Sequence, residues 1–178
     1  AASDVYKRQL LESFGNAKTV RNNNSSRFGK MMRLHFDSTG MVAGAFIKTY
    51  LLEKSRCVTV TNPERGYHIF YQVMISNYPA KGPVLSKLEP KNMHLLNQSQ
   101  CYTLTVMSDE KFHAEVKEAM DKLAIPQSMQ DDLIKILSAL LMIGNVTFTQ
   151  DDNDRAEISD MSALEAVEDL AGCGKLQG

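Results

Sequence analysis

Met32-Arg33-Leu34-His35-Phe36-Asp37-Ser38-Thr39-Gly40 decides the fold class. Met32, Leu34 and Phe36 alternate with Arg33 and His35, which is the period of a strand. Asp37-Ser38-Thr39-Gly40 supplies turn chemistry, because Asp and Ser bond their own backbone and Gly accepts unusual dihedrals. Met41 to Tyr50 then reads as a returning strand, so the segment predicts a β-hairpin. A lone hairpin is at best marginally stable in water. The strands are therefore expected to belong to a larger sheet, with partners supplied by sequence outside this chain.

Upstream, Leu10, Leu11, Phe14 and Ala17 share one helical face, which predicts a helix over 10–19. It runs into Asn22-Asn23-Asn24-Ser25-Ser26, residues that compete with helix by bonding the local backbone, so a loop is expected. Downstream the pattern becomes helical. Tyr67, Phe70, Tyr71 and Met74 predict a helix near 64–76. Ser108 is placed to cap a helix carrying Phe112, Val116, Met120 and Leu123, with Asp109 and Glu110 in its first turn. Pro126 to Gly144 predicts the strongest helix, burying Met129, Leu133, Ile136, Leu137 and Leu140. Val146 to Thr149 reads as a short strand. Ser162-Ala163-Leu164-Glu165 has the form of a capping box before a helix ending near Gly172. The expected class is α/β: an antiparallel hairpin from a larger mixed central sheet, followed by a helical region.

Hydrophobic content of 43% and charged content of 23% fit a soluble globular chain rather than a disordered tail. No apolar run approaches the roughly 20 residues of a membrane-spanning helix, and no signal-peptide pattern is present. Cys57, Cys101 and Cys173 lack metal-ligand spacing and read as free cytosolic thiols. The net charge of −1 is unevenly spread: residues 1–60 hold 10 Lys/Arg against 4 Asp/Glu, and residues 108–178 hold 6 against 15. The basic front is suited to phosphate. Residues 1–9 resemble a translated adapter and are set aside from fold reasoning, leaving 10–178 as part of one domain.

The chemistry concentrates in Arg21-Asn22-Asn23-Asn24-Ser25-Ser26-Arg27-Phe28-Gly29-Lys30. Amides, hydroxyls and cations crowd the connection between a helix and a strand. Phosphate oxygens need such donors, and hard Mg²⁺ takes a hydroxyl oxygen into its shell. Nucleotide sites in open sheets lie on loops of this kind. An ordinary polar connection has the same composition, so these residues alone leave both readings open.

The longer stretch Leu11-Glu-Ser-Phe-Gly-Asn-Ala-Lys-Thr-Val-Arg-Asn-Asn-Asn-Ser-Ser-Arg-Phe-Gly-Lys30 resembles the switch I region of myosin motor heads nearly residue for residue. Tyr50-Leu-Leu-Glu-Lys-Ser-Arg56, Glu64-Arg-Gly-Tyr-His-Ile-Phe-Tyr-Gln72 and Leu137 to Phe148 resemble later blocks of the same head, in the same order. Gln72 to Asn77 leans towards the conventional, filament-forming (class II) type. The resemblance implies a piece of a phosphate-loop NTPase motor fold covering switch I and the upper part of the head. It implies an actin-based motor ATPase, cytoplasmic and associated with the cytoskeleton, with ATP and Mg²⁺ as ligands. Its partners would be actin filaments, the remainder of the motor head, light chains and a tail, with no nucleic acid and no membrane span.

On matching positions, the resemblance implies that Asn22 contacts the nucleotide phosphates and that Ser26 gives its hydroxyl to Mg²⁺. Ser25 would touch the γ-phosphate and the attacking water. Arg27 would pair with a switch II glutamate that closes the site. The family's glycine-rich loop with its lysine and the switch II motif do not occur in the sequence, so the isolated chain is expected to be inactive. A different reading is a nucleic-acid-binding module using the basic 21–36 segment, where Arg21, Arg27, Lys30 and Arg33 are interleaved with Phe28 and Phe36.

Other features have plainer readings. His35, His68, His94 and His113 lack ligand-spaced partners and are expected in structural or surface roles. The ten Met read as core filler, and Tyr67, Phe70 and Tyr71 as packing. Asp151-Asp152-Asn153-Asp154 lacks the glycine and glutamate of a calcium loop and reads as a solvated connection.

Overall fold

A computed structural model describes residues 2–76, 78–150 and 153–174. Helix α1 (Ala2–Gly15) leads into strand β1 (Asn16–Ala17), which pairs antiparallel with β2 (Ser25–Ser26). The hairpin follows as β3 (Gly29–Phe36) and β4 (Val42–Tyr50), in antiparallel register from Gly29↔Tyr50 to His35↔Gly44. Then come α2 (His68–Ile75), the single turn α3 (His94–Asn97), α4 (Asp109–Lys122) and α5 (Gln127–Ile143). Strands β5 (Phe148–Gln150) and β6 (Ala156–Ile158) form a third antiparallel pair ahead of α6 (Met161–Ala171). The architecture is mixed α/β, with two-stranded antiparallel sheets and a helical body.

The 37–40 turn folds as its residues dictate. Asp37 Oδ1 accepts from the Thr39 amide at 2.8 Å, the Thr39 hydroxyl at 2.7 Å and the Met41 amide at 3.0 Å. Gly40 sits at φ +80°, which strains a residue bearing a Cβ. Both faces of the hairpin are open. Leu34, Phe36, Val42, Phe46 and Tyr50 are each at least 44% exposed.

The core is helical and centres on α2, whose residues His68 to Met74 are all buried. Apolar side chains around most of its circumference suit an interior, and its polar His68 and Gln72 are buried with them. Tyr67, Phe70, Tyr71 and Val73 pack with Leu85, Met93 and Leu96, with Ile134, Leu137 and Leu141 of α5, and with Ala163, Ala166 and Val167 of α6. Burying each large side chain contributes about 1.5–3 kcal/mol. A smaller cluster of Phe112, Val116 and Met120 on α4 packs against Leu10 of α1.

Several sequence expectations are corrected. The first helix ends at Gly15 rather than near residue 19, because the backbone of Asn16 and Ala17 pairs with Ser26 and Ser25. It also starts at Ala2, inside the segment set aside. The 64–76 helix starts at His68, since the Arg65 amide donates to the Lys18 carbonyl and Tyr67 bridges Ala17.

On α5, Leu137 is buried as expected, but Met129, Ile136 and Leu140 are 60%, 59% and 45% exposed. Gln130, Ile134, Ser138, Leu141 and Met142 face the core instead. The helix is apolar on two faces, and periodicity cannot choose between them. The α6 cap is Asp160, whose side chain accepts the Ser162 amide at 2.8 Å, so Ser162 lies within the helix. Gly172 ends it in the left-handed conformation at φ 63°, as expected. The short strand begins at Phe148, two residues later than expected.

Met74, Met93, Met120 and Met142 are buried, while Met31, Met32, Met41, Met129 and Met161 are exposed, so only part of the methionine set fills the core. Cys57, Cys101 and Cys173 are free. Among the described residues no helix is long and apolar enough to cross a membrane. Asp151 and Asp152 lie outside the described residues.

Candidate functional site

The polar loop is pinned at its stem. The β1–β2 pair closes residues 18–24 into a loop, and the Arg27 amide donates to the Gly15 carbonyl at 2.8 Å. Within it, the Thr19 amide donates to the Asn22 carbonyl at 2.8 Å. Asn22 Oδ1 accepts the Asn24 amide at 2.8 Å, the Asx turn for which short amide side chains are suited. Asn24 is held in turn, accepting from Asn16 Nδ2 at 3.0 Å and donating to Glu12 Oε2 at 3.3 Å. Three adjacent asparagines thus divide their work: Asn24 is structural, Asn22 is exposed, and Asn23 Nδ2 reaches Thr105 Oγ1 at 3.4 Å.

The hydroxyls differ in the same way. Ser25 Oγ accepts from Arg27 Nη1 at 3.2 Å, which leaves its own proton available. Ser26 is exposed, and its Oγ donates to the Phe28 carbonyl at 3.1 Å, which leaves its oxygen lone pairs available. Arg27 Nε lies 2.6 Å from Glu53 Oε2.

Glu53 is itself gripped by Arg56, whose Nε is 2.8 Å from the same oxygen, and Arg56 Nη2 is 2.8 Å from Glu64 Oε2. Burial pushes the Glu53 carboxyl up, but hydrogen bonds from Arg56 and Arg27 outweigh it and hold the group below its ordinary value. Glu64 behaves alike, held down by Arg56 and by the Val20 amide against burial. A groove of about 690 Å³ opens between Arg21 to Asn24 and the segment from Val106 to Lys111.

Asn22 on the loop, Ser25 and Ser26 in β2 and Arg27 just after it are thus adjacent along the chain. Glu53, Arg56 and Glu64 were missed as members of the site. The signal was present: Glu53 and Arg56 sit three apart in one quoted block, and Glu64 opens another. Of the four cations of the nucleic-acid reading, three are placed by their pairing. Arg27 is committed to Glu53, and Lys30 (opposite Thr49) and Arg33 (opposite Phe46) emerge on opposite faces of the hairpin.

The myosin head (motor domain) family matches residues 6–177. The chain belongs to the myosin head family. It is 46% identical over 166 residues to Myosin-3 of Arabidopsis thaliana, an alignment covering 92% of the chain and 14% of that protein. It is 48% identical over 158 residues to Myosin IB heavy chain of Dictyostelium discoideum, covering 88% of the chain and 14% of that protein. Myosin-14 of Arabidopsis thaliana is 49% identical over 140 residues, covering 78% and 9%. The chain therefore spans about a seventh of the length of curated relatives that it matches.

As a myosin head segment, the chain shows how its chemistry is distributed. Among the described residues there is no group of three or more His, Cys, Asp or Glu side chains able to hold a metal ion. The exposed Ser26 hydroxyl presents one hard oxygen with open lone pairs.

Proposed function

We propose that this chain forms the switch I wall of the Mg-ATP site in an actin-based motor ATPase of the cytoskeleton. What supports this is the loop itself: exposed Asn22, exposed Ser26 and the Ser25–Arg27 pair, carried on a backbone fastened at both ends. Phosphoryl transfer is catalysed mainly by positioning and by charge stabilisation, and donors on such a loop supply both.

In this reading the Asn22 side-chain amide donates to phosphate oxygens. Ser25, accepting from Arg27, turns its own proton towards the γ-phosphate or the attacking water. Ser26 would offer its oxygen to Mg²⁺, which when bound would neutralise charge on the phosphate oxygens. Arg27 exchanges Glu53 for a switch II glutamate of the remaining head when the site closes, an order-and-release switch driven by local contacts. In this reading the glycine-loop lysine, the actin contacts, the light chains and the tail belong to other parts of an intact protein that works in the cytoplasm.

The test is made in a motor head containing this chain. Ser26→Ala and Arg27→Ala are expected to lower ATP turnover by about a hundredfold each. Turnover unchanged in both, in folded protein, would overturn the proposal.

A further inference from the structure

One side chain outside the loop holds both of its ends. At the entry, Glu64 Oε1 accepts the Val20 amide at 3.2 Å; at the exit, Glu53 Oε2 accepts Arg27 Nε at 2.6 Å. Arg56 bonds both carboxylates: Nη2 to Glu64 Oε2 at 2.8 Å, Nε to Glu53 Oε2 at 2.8 Å, and Nη2 to Glu53 Oε1 at 3.3 Å. Its Nη1 donates to the Arg65 carbonyl at 3.2 Å, tying the cluster to the segment entering α2. Arg56 is only 6% exposed, so its guanidinium has one well-packed orientation.

We infer that Arg56 is a positioning residue of the switch I loop, orienting its entry through Glu64 and, until Arg27 leaves Glu53 on closure, its exit through Glu53. The inference rests on the functional reading above. Its physical basis is the guanidinium fork, which is planar and carries five donors at fixed angles. A lysine has one point of charge and cannot bond two carboxylates and a carbonyl in fixed geometry. Without Arg56, Glu53 and Glu64 repel each other, and the Val20 amide and the Arg27 side chain lose fixed acceptors. Arg56 reaches neither Asn22, Ser25 nor Ser26 itself, so its effect on chemistry passes entirely through loop geometry. Misplacing donors by about 1 Å is enough to slow catalysis by about a hundredfold.

The experiment uses a motor head containing this chain, with Arg56→Leu, Arg56→Lys, Glu64→Gln and Ser26→Ala. Single-turnover ATP hydrolysis, ATP affinity and the thermal midpoint are measured for each. Arg56→Leu is expected to lower kcat by about ten- to a hundredfold with a smaller change in KM, and Arg56→Lys to recover part of the loss. If folded Arg56→Leu turns over ATP at the original rate, or loses rate only in proportion to its folded fraction, the inference is overturned. If Arg56→Leu does not fold, the milder pair decides. Lowered kcat at an unchanged midpoint in Arg56→Lys and Glu64→Gln supports the inference, and unaltered kcat in both overturns it. Ser26→Ala separates the two levels. Normal turnover there sinks the nucleotide-site reading, whereas slowed turnover there with normal Arg56 variants sinks only the role of Arg56.

Discussion

Arg65 Nη2 lies 2.8 Å from Asp109 Oδ2 in a place where both residues are buried: Arg65 is 0% exposed and Asp109 8%. The pair joins the first turn of α4 to the segment ahead of α2, and the Arg65 guanidinium lies 3.6 Å from the centre of the Tyr71 ring. Burial pushes the Asp109 carboxyl up against the opposing pull of Arg65. Removing one partner of a buried pair strands the other charge. Asp109→Ala is expected to lower the stability of the motor head by about 3–5 kcal/mol, and Arg65→Met with Asp109→Leu to recover most of it. Urea unfolding of both variants checks this; equal stability of the single and double variants would contradict it.

His68 gives stability a pH dependence. It is fully buried on α2, with its ring edge-on to Phe112 at 5.4 Å between centroids. Burial, helped by the nearby Arg65 charge, lowers its pKa to about 4. The folded state therefore resists a proton that the unfolded chain accepts near its ordinary value. The stabilisation is present above about pH 6.5 and is lost as pH falls towards about 4, by about 3 kcal/mol over that window. Unfolding midpoints at stepped pH should show this slope, and His68→Leu should flatten it. An unchanged slope in that variant would mean other groups dominate.

Gly15 is a close-approach position beneath the exit of the loop. A Cβ there would overlap the Phe28 ring, one residue beyond Arg27. Gly15→Ala is expected to cost about 1–3 kcal/mol by overpacking, and adding Phe28→Leu should recover part of it. Nucleotide turnover, measured alongside the unfolding midpoint, should fall with Gly15→Ala because the displaced ring carries Arg27 with it. A neutral Gly15→Ala would show that Phe28 yields freely.

The hairpin predicts how the isolated chain behaves. Leu34 is 44%, Phe36 61% and Phe46 55% exposed, on strands whose outer edges are unpaired among the described residues. Such surfaces associate or bind apolar probes. The purified chain is expected to self-associate and to enhance dye fluorescence, and Leu34→Lys with Phe46→Lys should reduce both. A monomer with little dye binding and cooperative unfolding would contradict this.

Residue order alone determined the hairpin, its turn, the Ser108 cap and the Gly172 stop, because each depends on neighbours within a few positions. It also placed Asn22, Ser25, Ser26 and Arg27 together, since a loop between a helix and a strand keeps its polar groups adjacent whatever surrounds it. The buried face of α5 was not legible, because both faces are apolar and only packing against α2 and α6 selects Ile134 and Leu141 over Met129 and Ile136. The end of the first helix was not legible either, since Asn16 pairs with Ser26 across ten positions. The blocks holding Glu53, Arg56 and Glu64 were visible in the sequence, but joining Arg56 to Glu64 eight positions away required the tertiary structure. Charges spread along the chain become one cluster only where folding brings their donors and acceptors within bonding distance.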